Sequence, residues 1–202
     1  LGSKSSVDLN NISLTGVKGQ NSTGIELSDS KARMNAIKSS NHSCTITLKN
    51  ESDVEFVGGN THTDDKEIIK VVVATGEKPS AIKDDTNQYL QTSQGTQGGT
   101  GTQEIYYGFF ETKEVNTVDE LITAVSQSNR IINLNQDIEL KEELQISGQN
   151  VIINGNNRTI TLAEGKKITI KSTATGSKIS KVKIKGYTSQ GLLVYNAKNI
   201  TL

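Results

Sequence analysis

The sequence contains no Trp, one Pro, one Met, one Cys and three Phe in 202 residues. A single Cys44 excludes an intrachain disulfide and an all-cysteine metal site. The lack of large aromatics leaves Ile, Leu and Val to build the core. No charge sign is in surplus: 22 Lys+Arg stand against 22 Asp+Glu. A nucleic-acid binder carries a basic surplus or stripe, so no nucleic-acid partner is expected. No run approaches the ~18 apolar residues of a membrane span, and no signal-peptide pattern opens the chain. The apolar share is 33%, well below the usual globular value. Disorder lowers that share, and so does a solenoid, in which each short repeat buries few side chains.

The distribution decides between the two. Thr117-Val-Asp-Glu120 fits a capping box, and Val118, Leu121, Ile122 and Val125 mark one face of a short helix near residues 117–127. Beyond it the period changes to two. Ile132 and Leu134, Ile138 and Leu140, Leu144 and Ile146, Val151 and Ile153, Ile160 and Leu162, and Ile168 and Ile170 alternate, and pairs of this kind continue to Ile200 and Leu202. Asn and Gly separate the clusters, residues that tolerate the left-handed angles of tight corners. Asn150–Ile153, Lys166–Ile170, Lys181–Ile184 and Asn199–Leu202 read as one element recurring every 15–20 residues or so, a solenoid signature. The fold expected is all-β: a right-handed parallel β-helix with a short capping α-helix over one end of its core.

The stretch Thr117–Leu162 resembles the start of pectate-lyase-like β-helix domains, most of all the adhesive versions in surface proteins of Gram-positive bacteria. The resemblance covers residues 117–202 and, more weakly, about 5–60. It implies a secreted, cell-wall-associated module on the bacterial surface, with a non-catalytic role in adhesion and a surface glycan or a host or partner protein as ligand. The fold hosts other functions too. The alternatives are a polysaccharide lyase or glycoside hydrolase, and a structural stalk that assembles head to tail.

The order of elements suggests a circular permutation. Residues 1–90 read as the C-terminal rungs and closing segment of a β-helix, with Lys66–Val73 as a last strand. Residues 91–103 are low-complexity and read as a flexible linker. Residues 104–202 read as the capping helix and N-terminal rungs of the same β-helix. Open rungs also suggest self-association through strand edges.

The candidate ligand-binding residues are Lys181, Lys183, Lys185, Tyr187 and Tyr195. The three lysines alternate, so their side chains form one outward stripe suited to an acidic polysaccharide or teichoic acid. A lyase would need carboxylates converging on Ca²⁺. The candidates Asp64, Asp65, Glu67, Asp84 and Asp85 match no such motif with Arg33, Arg130 or Arg158. Asp53 and Glu55 share a strand face with nothing evident opposite. His42 and His62 read as surface residues, Cys44 as a small buried hydrophobe in step with Ile46 and Leu48, and Tyr106–Phe110 as a plug beside the capping helix. No metal, cofactor or catalytic set is assigned.

Overall fold

The computed structural model describes residues 5–63, 67–96 and 101–202. It divides into two units, Leu1–Phe109 and Phe110–Leu202. Each is a parallel β-solenoid with three strands per rung.

In the first unit, rung one is β1 (Ser5–Asn10), β2 (Ser13–Thr15) and β3 (Thr23–Ser28). Rung two is β4 (Ser30–Asn35), β5 (Lys38–Ser40) and β6 (Cys44–Lys49). Rung three is β7 (Asp53–Gly58), β8 (Thr61–Thr63) and β9 (Glu67–Val73), and β10 (Ile82–Asp84) begins a fourth. Like strands stack in parallel, giving sheets β1-β4-β7-β10, β2-β5-β8 and β3-β6-β9. Identical register puts Leu9, Met34 and Phe56 in one inward column, and Ile25, Ile46 and Ile69 in another. Both columns belong to one apolar cluster.

The third sheet then changes direction. β11 (Tyr89–Thr96) and β12 (Gln103–Phe109) form an antiparallel pair, and β12 runs antiparallel to β9. This corrects the expected 91–103 linker: Gln91–Thr96 lies in β11 and Gln103 opens β12. The unit boundary falls after Phe109, so Tyr106, Tyr107 and Phe109 belong to the first unit. Tyr107 and Phe109 pack on its core. Antiparallel pairing covers an edge that a parallel stack leaves open.

The second unit starts with β13 (Glu111–Val115) and α1 (Val118–Val125). Its rungs are β14 (Arg130–Leu134), β15 (Ile138–Leu140) and β16 (Leu144–Ile146); β17 (Val151–Asn154), β18 (Thr159–Leu162) and β19 (Ile168–Ile170); and β20 (Lys178–Ser180), β21 (Lys183–Lys185) and β22 (Leu192–Val194). The sheets are β13-β14-β17-β20, β15-β18-β21 and β16-β19-β22, and Thr201 bridges Lys178 as the next rung begins. Ile132, Ile153 and Ile179 stack, as do Leu144, Ile168 and Leu192. Arg130 faces Val151 twenty-one residues on, and Ile152 faces Lys178 twenty-six on. The shorter 15–20 spacing in the sequence compared strands on different sheets.

The capping box forms as expected. The Glu120 amide donates to Thr117 Oγ1 at 3.2 Å, and the Glu120 carboxylate accepts from the Thr117 and Asn116 amides at 3.0 and 2.7 Å. Leu121, Ala124 and Val125 bury the helix face on the end of the core. Before β14, β17, β20 and the Thr201 bridge the chain turns through a left-handed residue: Asn129, Asn150, Gly176 and Asn199, with φ of 54°, 54°, 78° and 56°. The side-chain amide of Asn150 donates to Asn129 Oδ1 at 3.0 Å, tying one corner to the next.

Candidate functional site

Alternation sends every second strand residue outward, so the solenoid's chemistry is displayed on its faces. In the second unit Lys183 and Lys185 point outward from β21 opposite Thr159 and Thr161, and Glu139 lies one rung further along that column. β21 is the last strand of its sheet. The two lysines stand about 6.6 Å apart along the strand. Lys181 does not join them. It sits at φ 54° in the corner before β21, because a turn there interrupts the alternation that the sequence suggested. The three lysines therefore share one edge of the unit but not one strand face.

The two tyrosines flank β21 and β22. Tyr187 follows Gly186 and is 51% exposed. Its ring lies over Gly191, where a Cβ would stand 2.8 Å from it. Tyr195 follows β22 and is 56% exposed, with its backbone amide donating to Ile170 O at 2.8 Å. The structure thus exposes all five predicted residues at the β21–β22 end. Sequence reading missed Gly191, whose missing side chain seats the Tyr187 ring.

A charge asymmetry surrounds them. From Gly165 to Leu202 the chain has eight lysines and no Asp or Glu, whereas Phe110–Glu164 has nine acids and four basic residues. Lys166 pairs with Glu142 at 2.7 Å. The other seven lysines make no ion pair among the described residues. Unpaired cations at solvent-exposed positions create a local positive potential that attracts anions.

Most acids considered for catalysis are otherwise engaged. Asp53 and Glu55 do face partners. They lie in register with Lys31 and Arg33 of β4, and Lys83 of β10 lies opposite Glu55. Asp53 pairs with Lys31 and Glu55 with Arg33, each at 3.6 Å, and Lys83 also bonds Glu55. Charges thus alternate down the stack from Asp8 through Arg33 and Glu55 to Lys83, which favours this register over a shifted one. The Lys83 hydrogen bond holds the Glu55 carboxyl below its ordinary value. Asp84 accepts from the Thr86 and Tyr89 amides at 2.9 and 2.8 Å, fixing the turn into β11. Asp85 lies 3.7 Å from Lys83. Asp64 and Asp65 fall outside the described residues. Arg130 pairs with Glu111 at 2.8 Å. Among the described residues no three His, Cys, Asp or Glu side chains gather as a metal site.

Neither histidine is a surface residue. His42 is 7% exposed, with Nδ1 3.3 Å from Ser22 Oγ. His62 is half-buried, its Nε2 2.9 Å from the Tyr89 hydroxyl and its ring 5.0 Å from that of Phe109. Tyr89 stacks on Phe56 at 3.8 Å, and burial raises its phenol above the ordinary value. Both histidines read as surface residues because their polar neighbours hide the close packing around them.

Cys44 is buried, at 7% exposure, but not in step with Ile46 and Leu48. Thr45 faces the core and bonds Ser39 at 3.2 Å, and Ile68 joins the apolar cluster on the next strand. Two consecutive inward residues on β6 and on β9 shift the alternation by one. The thiol donates to Ile46 O at 3.1 Å and accepts from Thr47 Oγ1 at 3.7 Å. Among the described residues no helix is long and apolar enough to cross a membrane. Compared with family models, with curated proteins and with solved structures, the chain finds no match.

Proposed function

We propose that the chain is a non-catalytic binding and adhesion module of an extracellular bacterial surface protein, and that it holds an anionic surface polymer such as an acidic glycan or a polyol phosphate. The observation that carries this reading is the acid-free lysine region of the second unit, with Lys183 and Lys185 outward on an edge strand and Tyr187 and Tyr195 exposed beside it. Extended solenoid faces suit long ligands, because equivalent positions repeat about every 4.8 Å along the stack. Ammonium groups attract the anionic units, and a tyrosine ring offers an apolar face to a sugar ring. A lyase or hydrolase reading draws less support, since Asp53, Glu55 and Asp84 are committed to cations or to backbone amides. The permuted reading of the pectate-lyase-like resemblance is supported by α1 covering the start of the second unit's core and by the β11–β12 pair closing a sheet of the first.

The test is binding of polygalacturonate and of teichoic acid to the full chain, measured by calorimetry at low and high salt. Binding to at least one of them should weaken with salt. The Lys183→Gln/Lys185→Gln double variant should lose about tenfold or more in affinity. Binding that ignores both salt and these substitutions, or the absence of binding to either polymer, would refute the reading.

A further inference from the structure

A second surface, on the first unit, has the chemistry of a binding site for a different ligand. The outward face of β3, β6 and β9 carries an open groove of about 400 Å³. Its floor includes Thr47, which is buried although it points away from the core. Ser22, Thr23 and Ser43 add hydroxyls along the walls. Glu26 and Lys49 cross it as an ion pair of 2.9 Å. Toward the opposite side Lys70 reaches Glu104 of β12 at 2.6 Å. Tyr106 lies in register with Lys70, its ring centroid 5.9 Å from the ammonium. The Tyr106 hydroxyl also donates to the Glu104 carboxylate. Lys70 and that hydroxyl hold the Glu104 carboxyl below its ordinary value, so the arrangement stays ionised at neutral pH.

These groups select by hydrogen bonding rather than by charge. Lys49 is matched by Glu26 and Lys70 by Glu104, and Glu67 adds a further carboxylate to the lining, so an anionic polymer gains no net attraction. An apolar ligand would strip water from hydroxyls, carboxylates and ammonium groups without replacing those bonds. A sugar hydroxyl both donates and accepts. It can therefore bond to the carboxylate and to the ammonium of one ion pair, and to threonine and serine hydroxyls between them. Hydrogen bonds to charged groups are also the stronger kind. Donors and acceptors recur here on successive strands, and an aromatic ring stands at one end.

We propose that this groove binds a neutral oligosaccharide laid across the strands along the stack, separately from the lysine-rich surface of the second unit. The experiment is a titration of the full ¹⁵N-labelled chain with cellotetraose, xylotetraose and chitotetraose, with tetragalacturonate as the acidic control. One neutral tetramer should shift the amide signals of Thr23, Thr47, Lys49 and Lys70 in the millimolar range. Glu26→Gln should weaken that binding about tenfold, and Thr23→Ala should weaken it less. Glu26 and Thr23 are both exposed, so neither substitution threatens the fold. Lys183→Gln/Lys185→Gln should leave the titration unchanged, which separates this site from the polyanion surface. The proposal fails if no neutral tetramer shifts these amides at millimolar concentration. It fails equally if the shifts lie outside the groove, if tetragalacturonate occupies the groove more tightly than any neutral tetramer, or if Glu26→Gln binds as well as the parent chain.

Discussion

Replacing Gly155 with alanine would place a methyl group where the next rung already stands. A Cβ there falls 2.4 Å from Lys181 O, 2.4 Å from Val182 Cγ2 and 2.7 Å from Val182 Cα. Ordinary carbon contacts begin about 1 Å further out. Two of those atoms are backbone, and the backbone cannot recede freely. Gly155 N donates to Ser180 O and Asn157 N donates to Lys181 O, both at 2.8 Å. Overpacking costs about 1–3 kcal/mol, and each loosened hydrogen bond adds about 1 kcal/mol. Gly155→Ala should therefore cost about 3 kcal/mol or more. Gly165→Ala is the control. Gly165 sits at φ 72° with nothing within 4 Å of the added atom, so only the left-handed backbone penalty of about 1 kcal/mol applies. For a unit of this size 1 kcal/mol moves Tm by about 4–8 °C, so the first variant should fall at least 12 °C or so and the second by about 4–8 °C. Thermal unfolding followed by circular dichroism reads both. Equal losses, or a Gly155→Ala variant within about 0.5 kcal/mol of the parent, would refute the stacking of residue 155 on residues 181 and 182.

Two further outcomes follow from side-chain environments. The Asn116 and Thr117 amides lower the Glu120 carboxyl below its ordinary value. Its contribution is therefore present above the unfolded-state value and is lost as pH falls through the folded one. Tm should drop between about pH 5 and pH 3, and Glu120→Gln should flatten that part of the profile; an unchanged slope would contradict the capping role. Burial raises the Cys44 thiol, so a disulfide reagent at about pH 8 should label it slowly in buffer and fully in urea. Rapid labelling of the native chain would show that the thiol is not held under Thr47.

Much of the second unit was legible in the sequence because its inward residues are Ile, Leu and Val at strict alternation, with Asn at the corners. Ile132, Ile153 and Ile160 announced their own direction, and Thr117 and Glu120 announced the helix. The first unit was harder to read for physical reasons. A shift in alternation at Thr45 turned Cys44 away from the apolar cluster, and a turn took Lys181 out of line with Lys183 and Lys185 in the second unit. Gln91–Thr96 has the composition of a linker yet pairs as a strand, since backbone hydrogen bonds do not depend on side-chain character. The alternating charges of Asp8, Arg33, Glu55 and Lys83 come from positions 22–28 residues apart, and only the register brings them together. The binding surfaces were partly legible. The lysine run was visible in the sequence, while the groove around Thr47 depends on three strands from three rungs and has no local signature.

Parallel stacking of successive rungs is tested most directly by cross-linking two outward positions that only the register makes neighbours. Glu139 of β15 and Thr161 of β18 are such partners, with Cα atoms about 4.8 Å apart, inside the range a disulfide spans. In a Cys44→Ser background, Glu139→Cys with Thr161→Cys should oxidise to an intrachain disulfide in the folded chain, and Glu139→Cys with Thr159→Cys, offset by two residues, should not. A cross-link in the offset pair, or none in the registered pair, would contradict the solenoid register on which the lysine-rich surface of the second unit depends.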